Sequence, residues 1–185
     1  MYHEENTVYI EELLSSCCSL QNLKMEGLLI TSKMAVSICN NGTTLQVLNL
    51  NHSFVVDDTF EFRGDFRSII KCCQELKELD LNYINEGIEN DEALEFLAEN
   101  ISPNVERFKL IDQDIKDDHV KILLKRCNKI KTLSLEATFI TNDSLKNIRK
   151  LLNLSPPKDS IMRTESERSK LLHGLDWHCY WLLTQ

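Results

Sequence analysis

Apolar positions along the chain fall into a short phrase, L-x-x-L-x-L, that recurs five times: Leu20–Met25, Leu45–Leu50, Leu76–Leu81, Val105–Leu110 and Ile130–Leu135. Within each phrase the alternation has a period of two, which predicts a strand with one apolar and one polar face. The residues after each phrase switch to helical period. Helices are predicted around Ser32–Asn40 (Met34, Val36, Ile38), over Arg63–Cys73, within IENDEALEFLAENI (Leu94, Leu97, Ile101), within IKDDHVKILLKRC (Val120, Leu123, Leu124) and in ITNDSLKNIRKLL. Successive phrases begin 25, 31, 29 and 25 residues apart, a spacing typical of repeat arrays in which each unit buries its apolar side against the next. The pattern therefore predicts an α/β chain of about five strand-turn-helix repeats, with a parallel concave sheet and convex helices.

The ends differ from the middle. Residues 1–19 read as an N-terminal helical cap, with Val8, Ile10, Leu13, Leu14 and Cys17 roughly on one face and Glu4, Glu5, Glu11 and Glu12 available for a polar outer side. Repeats occupy residues 20–154. Pro156-Pro157 cannot continue the last helix, so 155–170 read as a polar linker, and 171–185 as an apolar C-terminal cap or tail holding both tryptophans. Asp57-Asp58, Asn90-Asp91, Asp117-Asp118 and Asn142-Asp143 recur at helix starts, where such residues cap free N–H groups and favour the helix dipole.

Composition changes this picture little. Among 185 residues, 42% are hydrophobic and 27% charged, ordinary values for a domain with a core. A net charge of -8 argues against nucleic acid and against a polybasic membrane contact. No apolar run is long enough to span a bilayer, and the acidic start MYHEENTVYI does not read as a secretory signal. Seven cysteines without a C-x-x-C suggest free thiols in a reducing compartment, cytoplasmic or nuclear, rather than a disulfide framework or a zinc ribbon.

Candidate chemistry is sparse. Cys17, Cys73 and Cys127 each stand three residues before a strand phrase, a phase that suits a small buried side chain better than a catalytic thiol. His173, His178 and Cys179 match no standard zinc spacing. There is no glycine-rich phosphate loop and no G-x-S-x-G, so neither an enzyme nor a cofactor or metal is expected. The informative surface is the outward row of the strands. From it Asn49, Asn51, Glu78, Asp80, Asn82, Tyr83, Arg107, Lys109, Ile111, Ser134 and Glu136 are candidate contacts for a protein partner. Arg107, Tyr83 and Ile111 are of the types that anchor interfaces.

Two units carry a fuller phrase, C-x-x-L-x-x-L-x-L. One runs from Cys73 through Leu76, Leu79 and Leu81. The other runs from Cys127 through Ile130, Leu133 and Leu135, and then Ile140-Thr141-Asn142-Asp143-Ser144-Leu145. This phrase resembles the cysteine-containing class of leucine-rich repeats, found in F-box/leucine-rich-repeat proteins such as the S-phase kinase-associated receptor. The resemblance covers about residues 17–154. It implies a short leucine-rich-repeat solenoid and non-enzymatic recognition of a ubiquitylation substrate for an SCF-type (cullin-RING) ligase. The F-box pattern L-P-x-E-[IVL]-[IVL] is absent from the chain, so a cullin adaptor is an expected partner only if an F-box lies outside it. The alternative is a leucine-rich-repeat scaffold or assembly factor unrelated to ubiquitylation.

Overall fold

The computed structural model describes residues 4–53, 62–82, 91–110, 115–136, 140–141 and 180–184. Helices and strands alternate: α1 (Glu4–Ser16), β1 (Asn22–Lys24), α2 (Ser32–Asn40), β2 (Val47–Asn49), α3 (Phe62–Cys72), β3 (Glu78–Asp80), α4 (Asp91–Asn100), β4 (Arg107–Leu110), α5 (Asp117–Arg126), β5 (Thr132–Glu136) and β6 (Tyr180–Thr184). The first five strands pair in chain order and in parallel, while β6 pairs antiparallel with β5. The molecule is thus α/β, with a five-strand parallel sheet alternating with helices. The helix expected in ITNDSLKNIRKLL and the polar linker at 155–170 lie outside the described residues.

Register follows from the two-residue alternation. Leu23, Leu48, Leu79, Phe108 and Leu133 are paired across the parallel strands, and all five are buried. A one-residue slip of any strand would turn its row outward, at about 1.5–3 kcal/mol per side chain. Beneath them the helices bring Met34 and Ile38, Ile69 and Ile70, Leu94 and Leu97, and Leu123 and Leu124 into the same core.

Backbone hydrogen bonds repeat with the same regularity. The carbonyls of Gln21, Gln46, Lys77 and Glu106 each accept two N–H groups from the next unit; for Gln46 the donors are Lys77 and Glu78, at 2.8 and 3.0 Å. Each unit thereby satisfies the strand entry of its neighbour.

The turns before the strands hold the small residues. Cys73 and Cys127 are fully buried, and Ser102 fills the same phase, its hydroxyl donating to the carbonyls of Gln74 and Leu76. Cys17, in the first unit, is only half-buried, because no earlier unit among the described residues covers it. In the second unit the phase falls on Gly42, where a Cβ would lie 2.6 Å from the Cys72 carbonyl oxygen. The preceding Asn41 takes over the polar role. Its Nδ2 donates to the carbonyls of Cys17 and Ser37, and its Oδ1 accepts from the Leu20 N–H.

Three expectations change. The aspartates at helix starts lie inside the first turn rather than ahead of it: Lys116 is the N-cap of α5, and Asp117 and Asp118 follow it. They favour the helix dipole but do not cap. Asp117 instead accepts from the N–H and hydroxyl of Thr141, at 2.9 and 2.7 Å, and Asp91 pairs with Lys116, so these carboxylates tie one unit to the next. Asp57-Asp58, Asn90 and Asn142-Asp143 lie outside the described residues. On α1, Ile10 and Leu14 face inward but Val8 and Leu13 are exposed. At 100° per residue only the i, i+4 pair shares the core face, and Val8 and Leu13 fall off it. The same rotation exposes Val36 on α2 while Met34, Ala35 and Ile38 are buried.

Candidate protein-binding face

The sheet has one face against the described helices and one free of them, and the strand residues between the buried ones stand on that second face, called free below. They form two rows fixed by register. Asn22, Val47, Glu78, Arg107 and Thr132 make one; Lys24, Asn49, Asp80, Lys109 and Ser134 make the other.

The centre of this face is a set of paired charges. Arg107 bonds Glu78, and the ammonium of Lys109 lies 3.3 Å from the Asp80 carboxylate. The hydrogen bond from Arg107 holds the Glu78 carboxyl below the usual carboxylate range against the opposing effect of burial, with Lys24 and Lys109 reinforcing it. The same bond pushes the Arg107 guanidinium further up. Arg107 and Lys109 are exposed, whereas Glu78 and Asp80 are half-buried. The cations are therefore the more exposed half of each pair. Opposite charges at one phase of consecutive units are the sequence signal for such pairs. It also marks Glu106 and Lys131, 2.8 Å apart at the strand entry.

Other candidates serve the turns. The Oδ1 of Asn49 accepts from the Asn51 N–H at 2.9 Å, and Asp80 does the same for Asn82 at 3.3 Å. These bonds bend the chain out of each strand as the local side-chain turn does elsewhere. Asn51 is half-buried and Asn82 buried. Their Oδ1 atoms are buried without a hydrogen-bond partner among the described residues, at matching places in neighbouring units. Ser134 is 5% exposed, beside β6, where Leu182 is its register partner. It is enclosed rather than offered to a partner. Tyr83 and Ile111 lie outside the described residues, and Glu136 is placed only as the last residue of β5. Among the described residues the accessible part of the candidate set is therefore Arg107 and Lys109, with Asn49, Asn51, Glu78 and Asp80 half-buried.

Against this face the other features offer little chemistry. Among the described residues no group of three or more His, Cys, Asp or Glu is placed to hold a metal ion; His173, His178 and Cys179 are not among them. Burial pushes the thiol of Cys73 up to about 12 and that of Cys127 to about 11, the opposite of nucleophile activation. An apolar void of about 20 Å³ between α4 and α5, lined by Leu94, Phe108 and Leu123 among others, has room for about one water. No described helix is long and apolar enough to cross a membrane. No family model matches the chain, and no curated protein matches it either.

Proposed function

We propose that the chain is a short leucine-rich-repeat solenoid whose free, concave sheet face binds another protein. In this reading it serves as substrate recognition for an SCF-type ubiquitin ligase, and catalysis belongs to other subunits. The observation that carries it is the register-fixed pair of rows on the free face, with Arg107 and Lys109 projecting from rigid strands. Backbone held on paired strands loses little entropy on binding, and Arg is a frequent interface anchor. The repeated C-x-x-L-x-x-L-x-L phrase supports the ubiquitylation reading only through its resemblance to the repeats of F-box/leucine-rich-repeat proteins.

The test is proximity labelling in cells with the wild-type chain and with Arg107→Ala/Lys109→Ala. Both side chains are exposed, so the variant keeps its fold, checked by circular dichroism. Binding through this face predicts that a defined set of labelled proteins is lost in the variant. An unchanged set removes the concave-face reading. Co-purification of the full-length gene product with the cullin adaptor then separates the two roles. Its presence supports the ligase receptor, and its absence with the partner set retained leaves the scaffold or assembly factor.

A further inference from the structure

Each of strands β1 to β5 follows a described helix through a turn of five or six residues and carries a buried apolar residue. Strand β6 is placed differently. More than forty residues separate Glu136 from Tyr180, and β6 runs antiparallel where the other five strands are parallel. Among the described elements it approaches only β5. Its place in the sheet is therefore set by backbone pairing along the β5 edge and not by the succession of repeats.

That edge states what it accepts. It is five residues long, against three or four for the other parallel strands. Register sets Leu183 opposite Leu133, Leu182 opposite Ser134 and Trp181 opposite Leu135. Backbone N–H and C=O groups are the same in every sequence, so a strand edge selects its occupant by extended shape and alternate side chains. Cross-strand partners share a face, and Leu133 and Leu135 are buried. An occupant therefore needs apolar residues opposite those two leucines and no proline at a donating position. A tether of more than forty residues holds β6 at an effective concentration on the order of a millimolar. A second copy's β6 would make the same pairs and no others, so below that concentration exchange between copies gains nothing over closure within one chain. A foreign strand can add contacts of its own beyond the five pairs, and so displace β6.

We propose that the outer edge of β5 is a strand-acceptor site for an extended segment of a partner protein, apolar at two alternate positions, and that β6 is its internal, displaceable occupant. Binding there is β-strand addition, and the tethered β6 sets the affinity a partner must exceed. The site lies at the end of the sheet and does not depend on what the free face binds.

The probe is a fluorescent peptide of residues 176–185 carrying Cys179→Ser. It is titrated by anisotropy into the full wild-type chain and into the full chain with Leu182→Pro/Leu183→Pro. Successive residues of a strand aim their N–H groups to opposite sides, so one of the two prolines removes a donor directed at β5. Circular dichroism checks that the variant keeps the rest of the fold. With its internal competitor gone, the proline variant is expected to bind the peptide at least about tenfold tighter than wild type. In the peptide, Trp181→Thr/Leu183→Thr is expected to cost about tenfold or more, and Leu182→Thr, opposite Ser134, less than about threefold. A peptide with valine opposite Leu133 and Leu135 and threonine at the other three paired positions is expected to bind within about tenfold of the probe. The proposal is overturned if the probe binds both chains equally or neither, or if Leu182→Thr costs as much as Trp181→Thr/Leu183→Thr. It is also overturned if the valine-threonine peptide fails to bind where the probe does. A dimer of the wild-type chain at micromolar concentration, abolished by the two prolines, would make the occupant a second copy and overturn it as well. Arg107→Ala/Lys109→Ala is expected to leave peptide binding within about twofold, so loss of the free-face reading and loss of this one are separate results.

Discussion

At the scale of single residues, the turns before the strands carry the sharpest requirements. Asn41 is 1% exposed and makes three hydrogen bonds, two to Cys17 and Leu20 at the start of the first unit and one back to Ser37 at the end of α2. Asn41→Ala leaves two carbonyls and one N–H without their partner. Water can reach the half-buried Leu20 end, so the expected loss is about 2–4 kcal/mol, read as a fall in the urea midpoint at unchanged slope. Gly42 and Gly27 are glycines for different reasons. Gly42 has no room for a Cβ beside Cys72, whereas Gly27 has open space but a φ of +67°. Gly42→Ala is therefore expected to cost about 1–3 kcal/mol by overpacking, and Gly42→Asn more. Gly27→Asn is expected to be nearly neutral, since Asn tolerates the left-handed region. If both glycines respond alike to Asn, the distinction fails. The buried thiols give a third residue-level outcome. Cys73 and Cys127 hold their protons to about 12 and about 11, against an unfolded value near 9.0. A raised folded pKa means that between pH 9 and 12 the unfolded chain releases protons the folded one keeps, so stability is full below pH 9 and falls as pH rises. Alkaline urea titrations should show that fall, and Cys73→Ala/Cys127→Ala should flatten it. A disulfide reagent at pH 8 should label Cys18 and Cys72 in the folded protein but spare Cys73 and Cys127, since only the first two are exposed.

At the scale of elements, the strands were legible and the links between units were not. The alternation around Leu79 or Phe108 sets strand, face and register at once, because a period of two admits only one buried row. Helix existence was equally readable for α1 to α5, but helix faces were not. The core uses Ile10 and Leu14 on α1, and the apolar Val8 and Leu13 beside them are indistinguishable by composition. Asp117 looked like a cap because Asp is a common cap. Its carboxylate goes instead to Thr141, a choice set by the neighbouring unit and invisible in a single helix. Arg107 was readable as an anchor type, but its bond to Glu78 needed the two units aligned by phase. That pair carries an element-scale prediction. Glu78 has a lowered folded pKa, so its contribution is present above the unfolded carboxyl pKa and is lost as pH falls through the folded value. Because both partners are partly exposed, solvent screens them and the contribution is about 0.5 kcal/mol or less. Glu78→Gln should lower stability by that small amount at pH 7 and by progressively less as pH falls through the folded value. A larger loss at pH 3 than at pH 7 would contradict the assignment.

At the scale of the whole molecule, the two edges of the sheet are unequal. Strand β1 ends the sheet on one side, and it is only three residues long with exposed Lys24, a short charged edge that resists pairing with other chains. On the other side β5 is longer, five residues, and its outer backbone groups pair with β6 across Thr132–Glu136 and Tyr180–Thr184. The apolar end at 171–185 reads as a cap or tail, but its form as an antiparallel strand was not legible, because it joins segments more than forty residues apart and no short-range period announces an antiparallel partner for a parallel repeat. It also explains why Ser134, polar and outward by phase, is enclosed. Deleting residues 180–185 would leave the longest parallel strand with a row of unpaired N–H and C=O groups beside the apolar Leu133 and Leu135 positions. The expected outcome is concentration-dependent self-association, seen by light scattering after size exclusion, with a lower midpoint for urea unfolding. Introducing a charge on the freed edge, Thr132→Lys in the deleted chain, should restore the monomer, as charged edge residues do in natural sheets. If the deleted chain stays monomeric and as stable as the full chain, β6 does not protect that edge, and the burial of Ser134 must come from another part of the chain.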